Sequence, residues 1–554
     1  MRSKKALALL TCIGVSVFSL AGCGSSSSEE ESESTEAESE EAEAETEESE
    51  EDSESEEESV EESEEETEET EETEKSSSEA VSGGSLVIAV SEDVDSLHPS
   101  DYSTTTELNV LDQIYDTLMY MNPDGTEDPV PRIAESYEVS DDGTVYTFYL
   151  RDDVTFHDGT PLTSADVKFS LEMYMESEYQ SSKVTMLESV ETPDDYTVVC
   201  NLEGPYSPFL LGVCTVHIAS QSYYESSPDD FASTPIGSGP YMFVSRATGS
   251  NIVLTAYEDY YRGEASITDI TFEVIPETST TAIALQTGEV SFASIESSSL
   301  AQLETVDTIT LAEAPTSGFA YISMNLEQEP YDNVLFRQAI NYAIDRENLV
   351  DVCYDGKAEV NSNICSKDRF GYSDDQLQYT YDPDKAMELL EEAGIETPYD
   401  LGELLVAEKY SDLATVIQAD LADVGLECTI AVEEFNAYLD DLTSGNYGIT
   451  ALTMTLDGDT QQLEMAYKTE YIGTANNARY SDEEMDTLFE EAMVETDSDA
   501  RAEIFDEILD KAQEEAIYAV LCNPLTLYAY NSDLYCPEFP LEGGYFVYDF
   551  YWMN

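Results

Sequence analysis

In a chain of 554 residues, the side chains best suited to making and breaking bonds are few: three histidines and nine cysteines. His98, His157 and His217 stand apart, and none belongs to a His-Glu-x-x-His pair. No Gly-x-Ser-x-Gly elbow and no Gly-rich loop closing in Lys-Ser or Lys-Thr occurs. Zinc-dependent, serine-nucleophile and nucleotide-hydrolysing mechanisms lack the residues they need, so neither a catalytic group nor a cofactor is expected. Cys12 and Cys23 fall near the N-terminus, which leaves seven for the body: Cys200, Cys214, Cys353, Cys365, Cys428, Cys522 and Cys536. An odd number cannot all pair within one chain. None sits in a Cys-x-x-Cys pair or beside a histidine at ligand spacing, so no metal site is expected. Cys353 could bridge Cys365, and Cys522 could bridge Cys536; buried free thiols fit the sequence equally well.

The 21 Lys and Arg are outnumbered by 121 Asp and Glu, for a formal net charge of -100. Nucleic acid and anionic membrane surfaces are bound by clusters of Lys and Arg, so neither is expected as a partner. The charge favours solubility and a mild attraction for cationic solutes, and says nothing about fold. Tyrosine is abundant, 37 residues against one tryptophan, Trp552. Each tyrosine offers an apolar face and a hydroxyl, which suits an adaptable cleft as well as a core.

The first residues read as a processing signal. Arg2, Lys4 and Lys5 precede an apolar run, 6–20, that is too short for a comfortable membrane span. Its end, Leu20-Ala21-Gly22-Cys23, resembles the lipobox of bacterial lipoproteins, which implies cleavage after residue 22 and diacylglycerol on Cys23. Residues 25–82 are almost entirely Ser, Glu, Thr and Ala. Such a segment cannot bury enough apolar surface to offset its ordering entropy. Residues 23–83 are therefore expected to be a disordered tether with a reach on the order of 40 Å, lengthened by repulsion among its glutamates.

About 470 residues follow, too many for one hydrophobic core, so two or three domains are expected. Strand and helix signals alternate. Val145-Tyr146-Thr147-Phe148-Tyr149-Leu150 follows the turn Asp141-Asp142-Gly143, and Asp158-Gly159 supplies a second turn. Thr163, three residues before Asp166, predicts a helix start, with Val167, Ser170, Leu171, Tyr174 and Met175 on its apolar side. Asp382-Pro383 opens another helix, with Met387, Leu389, Leu390 and Ala393 inward and Gly394 as its stop. Ser411 is expected to cap a third, whose Leu413, Val416, Ile417, Leu421 and Val424 face a core before Gly425 and a strand over 426–432. Helix followed by buried strand is α/β architecture.

An ordered series of segments resembles the peptide, nickel and oligosaccharide class of extracellular solute-binding proteins, family 5, which serve ABC importers. The series runs through Tyr115-Asp116-Thr117-Leu118, Pro123-Asp124-Gly125-Thr126, Ala134-Glu135-Ser136-Tyr137-Glu138 and FHDGTPLTSADVKFSL at 156–171. It continues with Gly237-Ser238-Gly239-Pro240-Tyr241, Tyr260-Tyr261-Arg262-Gly263 and Ala284-Leu285-Gln286-Thr287-Gly288. Arg337-Gln338-Ala339-Ile340-Asn341 and Tyr381-Asp382-Pro383 extend it, so the likeness spans about 86 to the end. It implies a two-lobed flytrap of type II periplasmic-binding-protein topology with an additional inserted domain. On that pattern 85–116, 237–319 and 519–554 form one lobe, 320–518 the other, and 117–236 the additional domain. The glycines of these motifs read as turns and close approaches, not as chemistry.

The resemblance also implies ligand contacts. Peptide binders of this family hold the α-ammonium with an Asp in a Trp-x-x-Asp segment, matched here by Met454-Thr455-Leu456-Asp457-Gly458-Asp459. Asp457, with Asp459 beside it, would meet a desolvated ammonium with opposite charge. Asp457-Gly458 also reads as an exposed turn, and the Asp-x-Asp start of a calcium loop lacks its downstream Gly and Glu. For the peptide carboxylate the candidates are Lys409, where some relatives carry Arg, and Arg369, beside Phe370 where Trp is common. The reading that follows is a lipid-anchored, monomeric importer subunit that binds a short peptide between closing lobes and hands it to a permease with its ATPase. An oligosaccharide or a metal complex on the same scaffold, a surface adhesin and a secreted hydrolase are the rivals.

Overall fold

The computed structural model describes residues 80–120, 129–366, 369–373, 375–455, 461–537, 539 and 544–554. The signal segment, Cys23, the acidic tether, the segment at 123–126, Asp457 and Asp459 lie outside them.

Three sheets carry four hydrophobic clusters, two of them on the first sheet. The first has seven strands in the order Ile309–Ala314, Thr526–Asn531, Phe292–Ile295, Ser85–Val90, Asp269–Val274, Asn251–Ala256 and Tyr241–Ala247. Its central strand, Ser85–Val90, runs parallel to both neighbours, and the outer pairs are antiparallel. The second has six strands in the order Ala358–Val360, Tyr518–Pro524, Gly318–Met324, Ile449–Thr455, Tyr399–Ala407 and Leu426–Glu433. Gly318–Met324 and Tyr518–Pro524 are buried almost without interruption, as strands packed on both faces must be. The third, antiparallel throughout, orders Ala134–Val139, Val145–Leu150, Thr197–Leu202 and Leu187–Asp194. This is the two-lobed type II periplasmic-binding-protein fold, with the four-stranded body as the additional domain.

Local chemistry explains most element boundaries. Gly143 turns at φ +66° between the first two strands of the four-stranded sheet, and Gly159 turns at φ +79°. Ser164–Glu176 begins as expected, the Thr163 N–H donating to Asp166 Oδ2 at 2.9 Å. Pro383–Glu392 is capped by Asp382, whose carboxylate accepts from the Lys385 N–H. Two methionines expected inside are exposed: Met175 sits in the last turn of its helix, and Met387 stands off the face that Ala386, Leu389 and Leu390 bury. Ser411 is the first residue of Ser411–Asp423 and not its cap. A 3-10 turn, Glu408–Tyr410, leads directly into that helix, and the Ser411 hydroxyl donates backwards to the Glu408 carbonyl at 2.6 Å. The passage back to the first lobe also falls later than 519. Tyr518–Pro524 pairs with Gly318–Met324 and Ala358–Val360, because its side chains through Cys522 belong to the six-stranded core.

All seven body cysteines are free thiols. Burial pushes the thiols of Cys200, Cys214, Cys365 and Cys522 up to about 12, so they stay protonated and unreactive. No described helix is long and apolar enough to cross a membrane.

Candidate functional site

Two short passages join the large sheets: 315–317, which leads from Ile309–Ala314 into Gly318–Met324, and 525, which leads from Tyr518–Pro524 into Thr526–Asn531. They run side by side, since Thr316 Oγ1 donates to the Pro524 carbonyl at 2.7 Å. Strand register fixes which sheet ends meet there. In the seven-stranded sheet Ala314 faces Thr526 and Ile295 faces Leu527. The carboxyl ends of the parallel strands Ser85–Val90, Asp269–Val274 and Phe292–Ile295 therefore point at the passages. In the six-stranded sheet Thr455 faces Gly318, and Tyr399–Ala407 and Leu426–Glu433 run parallel to Ile449–Thr455, so their carboxyl ends point the same way. Open α/β sheets take ligands beyond the carboxyl ends of their strands, where loops and unpaired backbone groups are exposed. Here two such edges share one junction.

Of the five expected site residues, three are described. The strand that leads to Asp457 and Asp459 ends at the junction, at Thr455; both aspartates lie outside the described residues. Lys409 is exposed in the turn after Ala407, its ammonium 4.8 Å from the Tyr410 ring centre and 4.6 Å from that of Phe435. An exposed cation over two rings gains about 0.5–1 kcal/mol per contact and keeps its charge available. Arg369 is more than nine-tenths buried, and its Nη2 has no hydrogen-bond partner among the described residues. Phe370 meets Phe505 edge-to-face at 5.8 Å, and Arg501 stacks over both rings. Arg369 and Phe370 thus share one turn, while Lys409 occupies another.

Some junction residues carried no sequence signal. Asn361 Nδ2 donates to Asn523 Oδ1 at 2.7 Å, and Asn523 Nδ2 donates to the Gly318 carbonyl at 2.9 Å, which ties the 361–366 segment to the passage. Across the passages, Lys357 Nζ lies 2.6 Å from Glu313 Oε1, and Ser297 Oγ donates to Asp355 Oδ2 at 2.8 Å. On the seven-stranded side, burial raises the Glu296 carboxyl just past Ile295. Asp93, just beyond Val90, is burdened by burial, yet hydrogen bonds from Arg246 and the Gly249 N–H pull it below the usual carboxylate range. Among the described residues no cluster of His, Cys, Asp and Glu could hold a metal ion.

Residues 128–470 match the family described as bacterial extracellular solute-binding proteins, family 5 Middle. Heme-binding protein A of Haemophilus influenzae is 30% identical over 435 residues, which cover 71% of this chain and 78% of that protein. The dipeptide-binding protein of Escherichia coli is 30% identical over 367 residues, 60% of this chain and 69% of that one. Among solved structures, the ABC transporter substrate-binding protein CtaP from Listeria monocytogenes superposes with a TM-score of 0.76 at 26% identity, covering 85% of this chain and 100% of that one. DppA from Helicobacter pylori in complex with the peptide STSA gives 0.67 at 27% identity, covering 86% and 99%.

Proposed function

Because the chain belongs to the bacterial extracellular solute-binding proteins of family 5, we propose that it captures a short peptide at the junction of its two lobes and delivers it to an ABC permease driven by an ATPase. The observation that carries this reading is the shared junction, where the carboxyl ends of the parallel strands of both sheets converge beside two chain passages between them. A guest held there touches both lobes, so it binds the closed form far better than the open one and shifts the population toward closure. Asp457 takes the peptide ammonium, with Asp459 beside it. The unpartnered Nη2 of Arg369 and the exposed Lys409 ammonium supply positive charge for the carboxylate, and Phe370 supplies an apolar wall. Backbone hydrogen bonds and hydrated side-chain pockets let mixed sequences bind. No bond in the guest is made or broken.

The dipeptide-binding relative and the peptide-bound structural neighbour support peptide over the rival ligands. Outside the cell the protein acts as a monomer, held at the membrane by a lipidated Cys23 and the acidic tether. The test of the ligand is a pair of calorimetric titrations of Asp457→Ala, one with a free-amine tetrapeptide and one with its N-acetylated form. Loss of the free-amine peptide's advantage, roughly tenfold or more for a desolvated charge pair, is expected. Equal losses for both peptides would remove Asp457 from the site.

A further inference from the structure

The additional domain is chained to the seven-stranded lobe alone, yet one of its loops reaches the other lobe. The Ser207 N–H donates to the Met493 carbonyl at 2.9 Å, and Ser207 Oγ lies 3.2 Å from the Ala492 carbonyl and 3.3 Å from that of Met493. Both carbonyls belong to the last turn of Glu483–Val494, where a helix has no partners of its own for its carbonyl groups. A helix of one lobe is thus capped by a residue of another body. Tyr206 packs against both the four-stranded core and the six-stranded core. Its carbonyl accepts from the hydroxyl of Tyr146, a buried residue of the four-stranded sheet, which anchors the loop on its own side. Beside it, a methyl on Gly143 would lie 3.0 Å from Thr496 Cγ2 and 3.2 Å from Pro205 Cβ, so this edge closes tightly on the turn after the capped helix.

The lobes move relative to one another about the passages at 315–317 and 525, and the additional domain travels with the seven-stranded lobe. On the flytrap reading, a contact between two bodies that are not chained to each other is one that opening would break, and the Ser207 cap is such a contact. We propose that residues 205–207 form a latch that holds the closed state by capping the 483–494 helix, independently of any guest. This rests on the flytrap reading of the fold and not on the identity of the ligand. The latch makes the empty protein partly closed, and it slows solute release because opening must pull Tyr206 off the six-stranded core as well as break the Ser207 hydrogen bonds.

The test is small-angle scattering of the full chain, stripped of bound solute by dialysis from denaturant and refolding, with no solute added. Tyr206→Ala weakens the latch from one side, and Thr496→Trp wedges it from the other. The expected result is a more extended particle for both variants, from about a tenfold fall in the closed-to-open ratio, equivalent to ~1.4 kcal/mol. Circular dichroism establishes that each variant is folded, and if Tyr206→Ala fails to fold, Thr496→Trp decides alone. Scattering curves of the folded variants that superpose on the wild type would overturn the latch. Because no peptide enters this experiment, its failure would leave the titrations of Asp457→Ala unaffected, and the converse holds.

Discussion

The additional domain meets its two neighbours in opposite ways. Against the seven-stranded lobe the joint is buried and charged. Asp116, the last residue of that lobe's first segment, sits 4% exposed, accepting from the hydroxyls of Tyr260 at 2.9 Å and Tyr261 at 2.8 Å of the same lobe, and the Arg132 guanidinium of the additional domain lies 4.0 Å from it. His157 Nδ1 accepts from the Gly237 N–H, and its Nε2–H donates to the Gly239 carbonyl at 3.0 Å. A methyl on Gly239 would lie 2.7 Å from the Ile114 carbonyl carbon, so the two chain segments that lead into and out of the additional domain touch backbone to backbone. Against the six-stranded lobe there is the Ser207 cap on a helix end, beside exposed Pro205 and Thr496. The contrast teaches which boundary is fixed and which can open. A joint that buries a carboxylate cannot part without leaving polar groups unpaired, whereas a cap on helix carbonyls exchanges readily for water.

The largest expected break in that contrast is Asp116→Ala. It leaves two phenol hydroxyls without their acceptor and a buried guanidinium without the carboxylate beside it, and should destabilise the protein by roughly 3 kcal/mol. Chemical denaturation would measure it, and a loss below about 1 kcal/mol would mean that the joint is not the fixed one. Next is the pH dependence of the same joint. Burial lowers His157 from 6.5 to about 4. Between those values the unfolded chain binds a proton that the folded chain refuses. Stability is therefore full above pH 6.5 and declines as the pH falls toward 4, by about 3 kcal/mol. His157→Gln should flatten that part of the stability profile.

A smaller effect of opposite sign separates the six-stranded lobe from the joint. Burial, then the neighbouring Asp345 and Asp423 carboxylates, raise Asp420 from 3.8 to about 6, against one hydrogen bond from the Asp345 N–H. The folded chain here binds the extra proton, so stability rises as the pH falls through 6 toward 3.8. Asp420→Asn should remove that rise and stabilise the protein at pH 7 by about 1 kcal/mol or more. Smallest is Ser207→Ala, which should change unfolding stability by less than about 1 kcal/mol. A larger loss would make the releasable boundary a fixed one.

The fixed joint was half legible in the sequence. Its parts lie in the segments that carry the family resemblance: Asp116 in one, His157 in a second, Gly237 and Gly239 in a third, Tyr260 and Tyr261 in a fourth. The glycines at 237 and 239 announce a close approach, because only a missing Cβ permits one. That these four segments meet was not readable, since pairing residues 116 and 260 is a tertiary fact with no local periodicity. Asp382-Pro383 and Thr163 with Asp166 fixed helix starts because capping is local chemistry. Ser411 misled because a 3-10 turn already supplied the entry, and Met387 misled because a methionine gives no sign of which side of a stripe it occupies. The latch was illegible. Ser207 and Met493 are 286 residues apart, and a main-chain hydrogen bond carries no side-chain signature. Of the candidate residues, Arg369 and Lys409 could be chosen for charge, but only packing reveals that one is buried with an Nη2 that finds no hydrogen bond among the described residues and the other rests on rings.

The account's central claim is that two lobes close on a guest that leaves chemically unchanged. Native mass spectrometry of the purified full chain, followed by denaturation and mass analysis of what is released, tests it directly. One peptide-sized solute per chain, with the same mass after prolonged incubation as at the start, is the predicted result. Incubation that converts the released solute into fragments, or a bound species that is never a peptide, would contradict it.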